Sequence, residues 1–564
     1  MAFGCCDSIN HFIGQMRSLT FAFALWVTAL QHVSSASVAP LLKNAMVINE
    51  RRTAGSGNCS TLGIATPSLP GGKILSFTAQ PVANYSFSTS AFSAEVKAPI
   101  EFCNVTIIYT HTGWNDTIIT TVWLPLKGWN GRFIGTGGGG LATRSADNTL
   151  AIEVAAGRAA VATDGGHSYE NSMSGTGWAL DKNNKVNILL LRDFASVTLN
   201  EAAILGKAVV KSFYGTLPTF SYWNGCSSGG RQGLMMAQRY PTAYDGIVAA
   251  APAINWVSMV PASVWPTVVM NELKTLPPPC IFDAIQKATI NACDKLDGLV
   301  DGLISAPDRC KFDPDMLIGQ SVDCGELGQQ NITKNHATVV KKILQGATSV
   351  NGSFLWYGLE PGTAMSGFPS LSSTSCVGSI NNCTIRPHGT SVDWVRLWIL
   401  QDPTFNINNL THQQFDAVMA ASKERYQDII ATNNPDLSGF RAAGGKMITW
   451  HGLTDQMIHP KGSRQYYTRV EALDPNVRDF YRYYEAPGVT HCAGGPGPSP
   501  ISPIDAVIAW VENGTAPATL PSRSSDGTKN QELCVYPLVS VYKGGDKTKA
   551  SSFACESSFP DVIG

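Results

Sequence analysis

A β-rich run, Phe220–Asn224, stops at Gly225-Cys226-Ser227-Ser228-Gly229-Gly230, and a helical pattern over Arg231–Arg239 begins at once. A strand that passes into a helix through so tight a turn restricts the chain to architectures in which strand ends meet helix starts, and the glycines supply the room such a turn needs. The rest of the sequence follows the same rhythm. Short apolar runs at Thr120–Leu124, Arg132–Gly135 and Ala159–Thr163 precede a helical stretch at Leu199–Tyr214. The alternation returns at Lys446–Trp450, Asp479–Tyr484 and a helix over Pro503–Val511. This pattern reads as a mostly parallel sheet with helices on both faces, an α/β fold. Residues 255–440 break it with an irregular, Pro-rich and Cys-rich stretch. At 564 residues the chain exceeds what one core fills. The expected organisation is an α/β core of residues 37–254 and 441–564, interrupted by an inserted domain over 255–440.

Forty-one Lys+Arg face 42 Asp+Glu for a net charge of -1, with no basic cluster. Nothing here neutralises a phosphate backbone, so nucleic acid is not an expected partner. The apolar run Leu19–Leu30, preceded by Arg17 and followed by Ser34-Ser35-Ala36, falls short of the roughly 20 residues needed to cross a bilayer. It reads as a secretory signal over residues 1–36, with translation from Met16 as an alternative start, and no membrane association is expected after its removal. Removal takes Cys5 and Cys6 with it. The remaining cysteines are even in number, as an oxidising extracellular compartment and six disulfides require. Sequons at Asn58, Asn84, Asn104, Asn115, Asn331, Asn351, Asn382, Asn409 and Asn513 point to a secreted glycoprotein.

Ser227 is the centre of a G-x-S-x-G turn between strand and helix, the arrangement that raises a nucleophilic hydroxyl above a sheet with a helix N-terminus behind it. Serine needs an imidazole base, and the base needs a carboxylate. Asp455 follows the strand ending at Trp450, and His491 follows the strand ending at Tyr484, so both lie past C-terminal strand ends, where α/β sheets gather their sites. His451 and His459 are rival bases, but each is too near Asp455 in sequence to come from a separate strand end. Asp505, a rival carboxylate, falls on a surface helix. Cys226 precedes Ser227 and Cys492 follows His491. If serine and histidine meet, the cysteines come within the roughly 4.4–6.8 Å Cα spacing of a disulfide, so a Cys226–Cys492 bond is predicted. The oxyanion donors are the Ser228 backbone N–H and one from the run ending Gly137-Gly138-Gly139-Gly140, assigned to Gly139 with Gly138 and Gly140 as alternatives.

Asp294, Asp297 and Asp301 crowd within eight residues, with glycines after the second and third. Mutual repulsion calls for a hard cation, and the Leu299 and Leu303 carbonyls are placed to complete an oxygen shell, so a structural Ca²⁺ is expected. Cys293 and Cys310 bracket the loop and are paired on that ground. No Cys/His cluster suits zinc.

Together these residues resemble the tannase and feruloyl esterase family of secreted fungal esterases. The resemblance rests on Gly225–Gly230, Asp455 and His491-Cys492, the Cys-Ser / Asp / His-Cys arrangement. It extends through Phe102–Thr106, Tyr109–Gly113, Trp129–Phe133, Pro277–Cys280, the calcium loop and Asp505–Gly514. It implies an α/β-hydrolase core with a large inserted calcium-binding lid. The implied activity is hydrolysis of carboxylic esters of aromatic acids, gallates or hydroxycinnamates such as ferulate, carried by small molecules or by plant polysaccharide and polyphenol esters. It implies the same roles for Ser227, Asp455 and His491, the Cys226–Cys492 bond, and calcium on Asp294, Asp297 and Asp301 with the Leu299 and Leu303 carbonyls. Proximity and order add Cys59–Cys103, Cys376–Cys383 and Cys534–Cys555. Trp256, Trp265, Trp356, Tyr357, Trp394 and Trp398 are available to stack on an aromatic acyl group, although such residues more often form core. The alternatives are an esterase acting on other carboxylic esters, a catalytically silent hydrolase-like protein that binds aromatic ligands, and a secreted peptidase.

Overall fold

The computed structural model describes residues 57–87, 99–168 and 170–560; the expected leader lies outside them. Nine strands form one sheet: β1 (Gly72–Tyr85), β2 (Ile100–His111), β3 (Ile118–Pro125), β4 (Arg132–Thr136), β5 (Ala159–Thr163), β6 (Phe220–Cys226), β7 (Gly246–Ala250), β8 (Lys446–Gly452) and β9 (Tyr481–Ala486). Their order is β1-β2-β3-β5-β4-β6-β7-β8-β9. The pairs from β5 to β9 are parallel, as the alternation predicts. β1, β2 and β3 add an antiparallel flank that the sequence reading did not resolve as strands beyond β3.

Period-two alternation puts opposite faces of each strand into separate cores. Val105, Ile107, Val122, Phe133 and Val161 pack on one side with the helices Thr198–Tyr214 and Pro460–Leu473. Phe102, Trp123, Ile134, Tyr222 and Ile448 pack on the other with Asn148–Ala155 and Pro503–Asn513. β7 pairs directly with β8, so the intervening residues leave the sheet and return to it. They form a third apolar cluster, which also recruits Trp178, Leu191 and Phe194 from the preceding stretch. Trp256, Trp394 and Trp398 are essentially inaccessible within it, and Trp265 and Trp356 are buried, so these indoles serve as core.

The predicted disulfides Cys59–Cys103, Cys226–Cys492, Cys293–Cys310, Cys376–Cys383 and Cys534–Cys555 are present, with Cys280–Cys324 as the sixth. Among the sequon asparagines only Asn104 is not exposed; it lies inside β2, between two partner strands. No described helix is long and apolar enough to cross a membrane.

Candidate active site

β6 ends at Cys226, Ser227 takes φ +64° and ψ −124°, and the helix Ser228–Arg239 starts immediately. A left-handed serine is strained, and its surroundings hold it there. Its N–H donates to the Ala250 carbonyl, and its own carbonyl accepts from Arg231 and Ala253. Side chains are sterically excluded beside it. A Cβ on Gly225 would come within 2.5 Å of the Gly229 carbonyl carbon, and one on Gly230 within 2.3 Å of the Ala250 oxygen.

The loop after β4 is tied to this turn. Gly229 N–H donates to the Gly138 carbonyl at 2.8 Å, and Ser228 Oγ donates to the Gly140 carbonyl at 2.6 Å. Gly138 N–H is taken by Gln232 Oε1 at 3.0 Å, which removes it from the three oxyanion alternatives. Gly139 N–H has no acceptor among the described residues, and a Cβ there would face open space.

Asp455, in the turn after β8, is fully buried. Its Oδ1 accepts from the Met457 and Ile458 backbone N–H groups, both at 2.9 Å. Its Oδ2 lies 2.8 Å from His491 Nδ1. Burial opposes its charge, but the His491 charge and the hydrogen bonds from His451 and His491 hold its carboxyl well below the usual carboxylate range. The Cys226–Cys492 bond, with a Cα separation of 5.9 Å, brings the His491 loop to the serine turn. Ser227 and His491 line one cleft of about 900 Å³, but no hydrogen bond joins Ser227 Oγ to the imidazole in this conformation.

The rivals fall elsewhere. Asp505 pairs with Arg158 at 2.7 Å in the first turn of its helix, at the edge of the same cleft. His459 is buried, which pushes its pKa down to about 4. His451 reaches Asp455 at 3.1 Å, but it is fully buried and does not line the cleft. Lining residues that sequence reasoning missed are Ile152, Met173, Trp450, Met457 and Ile504, with Glu153 and Asn224 as a polar pair joined at 3.2 Å. Trp450 and Asn224 carried a usable signal, because each sits near the C-terminal end of a sheet strand.

In the acidic loop, Asp294 accepts from the Asp301 and Gly302 backbone N–H groups, Asp297 from Leu299 and Asp301 from Leu303. Asp297, Leu299 and Asp301 border a cavity of about 40 Å³, which has room for an ion. Asp297 is pushed up to about 6 by burial, with the Asp301 and Asp294 charges adding, a state that a cation would relieve. A second acidic cluster surrounds His111. There Asp116 and Asp193 bring ligand atoms within 4.8 Å, but Nδ1 lies 2.5 Å from Asp116 Oδ2, a hydrogen-bond separation.

The sheet order, the strained serine between β6 and its helix, and the Asp455–His491 pair beyond β8 and β9 define an α/β-hydrolase fold. Residues 103–556 match the profile of the tannase and feruloyl esterase family, and the chain belongs to that family of carboxylic ester hydrolases. It is 39% identical over 510 residues to a probable feruloyl esterase of Arthroderma benhamiae, covering 88% of this chain and 93% of that one. It is similar in structure to the tannin acyl hydrolase of Aspergillus niger, with TM-score 0.79 and 28% identity over 89% of this chain and 96% of the other. For feruloyl esterase B of Aspergillus oryzae the TM-score is 0.73, with 27% identity over 88% and 99%.

Proposed function

We propose that the protein is a secreted serine esterase that hydrolyses carboxylic esters of aromatic acids through an acyl-enzyme. The observation that carries the reading is the delivery of a carboxylate-bound imidazole to a strained serine by a disulfide between their immediate neighbours. With Nδ1–H donated to Asp455, His491 Nε2 is left to take the proton of Ser227. The serine oxygen attacks the ester carbonyl, and the Ser228 and Gly139 N–H groups receive the oxyanion. His491 then protonates the departing alcohol. Water, deprotonated by the same imidazole, releases the acid and restores the serine.

An aromatic acyl group is supported by the family and by the cleft, which is lined by apolar Ile152, Met173, Trp450 and Ile504 and by a polar Glu153–Asn224 pair. Gallate and ferulate or caffeate esters are the proposed substrates. The six disulfides and the leader support secretion. Structural Ca²⁺ is assigned to Asp294, Asp297 and Asp301 with the Leu299 and Leu303 carbonyls, supported by the crowded carboxylates and the adjoining cavity. Ser227→Ala should reduce turnover of gallate, ferulate and caffeate esters by at least about a thousandfold, with melting temperature unchanged and labelling by a serine-reactive phosphonate lost. Substantial residual hydrolysis by the purified variant would overturn the assignment.

A further inference from the structure

Asp455 has more partners than an orienting carboxylate requires. Beyond the two backbone donors on Oδ1, its Oδ2 accepts from two imidazoles, His491 Nδ1 at 2.8 Å and His451 Nε2 at 3.1 Å. The surroundings of His451 fix its tautomer. Nε2 faces two acceptors, Asp455 Oδ2 and the Ile458 carbonyl at 3.1 Å, so it carries the proton. Nδ1 lies 2.8 Å from Ser463 Oγ, whose hydroxyl donates to it. Ser463, His451 and Asp455 therefore mirror Ser227, His491 and Asp455 about one shared carboxylate. Access separates the two arms: Ser227 and His491 line the cleft, whereas His451 and Ser463 are 0% and 2% exposed and do not border it.

We propose that His451 is a positioning residue for the hydrolysis, pinning Asp455 through the oxygen that orients His491. The proposal rests on the roles assigned to Asp455 and His491 above. A carboxylate held only by His491 and the Oδ1 amides keeps some freedom to rock about its Oδ1 anchor, and the imidazole would move with it. The second imidazole removes that freedom, and displacements of about 1 Å at such a site cost on the order of a hundredfold in rate. The His451 N–H also draws electron density from Oδ2, which lowers the attraction of Asp455 for a proton on His491. The titratable groups acting on Asp455 are His491, His451, His388 and His459, and burial holds the last two neutral.

The test compares His451→Phe, which fills the space without a donor, with His451→Gln, whose amide restores an N–H near Nε2. In the Phe variant kcat on a ferulate or gallate ester should fall on the order of tenfold with KM within about twofold, as for loss of one hydrogen bond to a charged group. The acidic limb of kcat/KM should move up by roughly half a pH unit, because an unshared Asp455 favours the protonated His491. His451→Gln should recover most of the rate and return the limb to its original position. If the Phe variant does not fold, Ser463→Ala, which weakens the polarisation of the His451 ring, must shift the limb in the same direction. A folded Phe variant with native kcat and limb would overturn the proposal, as would a kcat loss without a limb shift that Gln does not rescue, or an unshifted Ser463→Ala limb where Phe cannot be measured. Ser227→Ala and Asp455→Asn run alongside separate the failures. If they retain turnover the underlying site assignment fails, whereas if they abolish it and His451→Phe does not matter, only the role of His451 fails.

Discussion

Asp455 and Asp193 are equally buried, each with an imidazole nearby, yet they end in opposite charge states. Asp455 receives four donors, two of them imidazole N–H groups, and stays ionised far below its ordinary range. Around His111 the arithmetic is reversed. One imidazole divides itself between Asp116 through Nδ1 and Glu201 through Nε2, and Tyr109 donates to Glu201. Both oxygens of Asp193 are left without a donor, and Oδ1 lies 3.8 Å from Nδ1, beyond hydrogen-bond reach. Burial, reinforced by the Asp116 and Glu201 charges, pushes Asp193 up to about 8. Depth alone therefore does not decide whether a carboxylate is charged here; the supply of donors does. The acidic loop at Asp294, Asp297 and Asp301 poses the same problem, for which the proposed answer is a cation.

The comparison breaks most sharply at Asp455. Asp455→Asn keeps the shape but loses the charge that stabilises an imidazolium, and it presents a donor where His491 needs an acceptor. Turnover should drop by roughly 10³–10⁴-fold with little change in substrate binding, read as kcat against KM. A loss below about tenfold would mean that the donor-rich carboxylate is structural. At the acidic loop, calcium held in excess by a folded site should stabilise the protein by about 2–3 kcal/mol, and chelation should lower the melting temperature by roughly 3 °C. Added Ca²⁺ should restore it, and Asp301→Asn should weaken the response. A melting curve indifferent to chelator and to metal would place those carboxylates with Asp193, neutralised by protons.

These regions differed in how far they were legible. Ser227 is encoded locally, because the strand, the glycines and the helix lie within twenty residues. Asp455 and His491 could be placed because each follows an apolar run, and because the cysteines beside Ser227 and His491 supply a long-range marker. The four-residue separation of His451 from Asp455 argues against a base from a separate strand end and says nothing of a contact between the two side chains. The tight turn after β8, closed by Asp455 N–H on the Gly452 carbonyl, folds the two side chains together. The His111 cluster left no trace, since its carboxylates come from segments some 90 residues apart and only the packing of the helix Thr198–Tyr214 on the sheet brings Glu201 to His111. β1 escaped notice for a different reason: its residues are half-buried or exposed, so its apolar pattern is weak.

The smallest effect offers the cleanest test of the donor argument. A carboxyl raised in the folded state binds a proton that the unfolded chain has already released, so between the unfolded value near 4 and the folded value of about 8 the native state holds more protons. The Asp193 contribution to stability is therefore fully present below about pH 4 and falls as pH rises towards 8, opposite in sign to that of Asp455, whose contribution is lost only on acidification. Asp193→Asn, neutral at every pH and able to donate to Asp116, should raise the melting temperature by roughly 1–3 °C at pH 8 and change it little at pH 5. Asn at this position should also flatten the decline in stability between these two pH values. Equal stabilisation at both would mean that Asp193 is not titrating in the native protein, and that more donors reach the carboxylates around His111 than the hydrogen bonds described above.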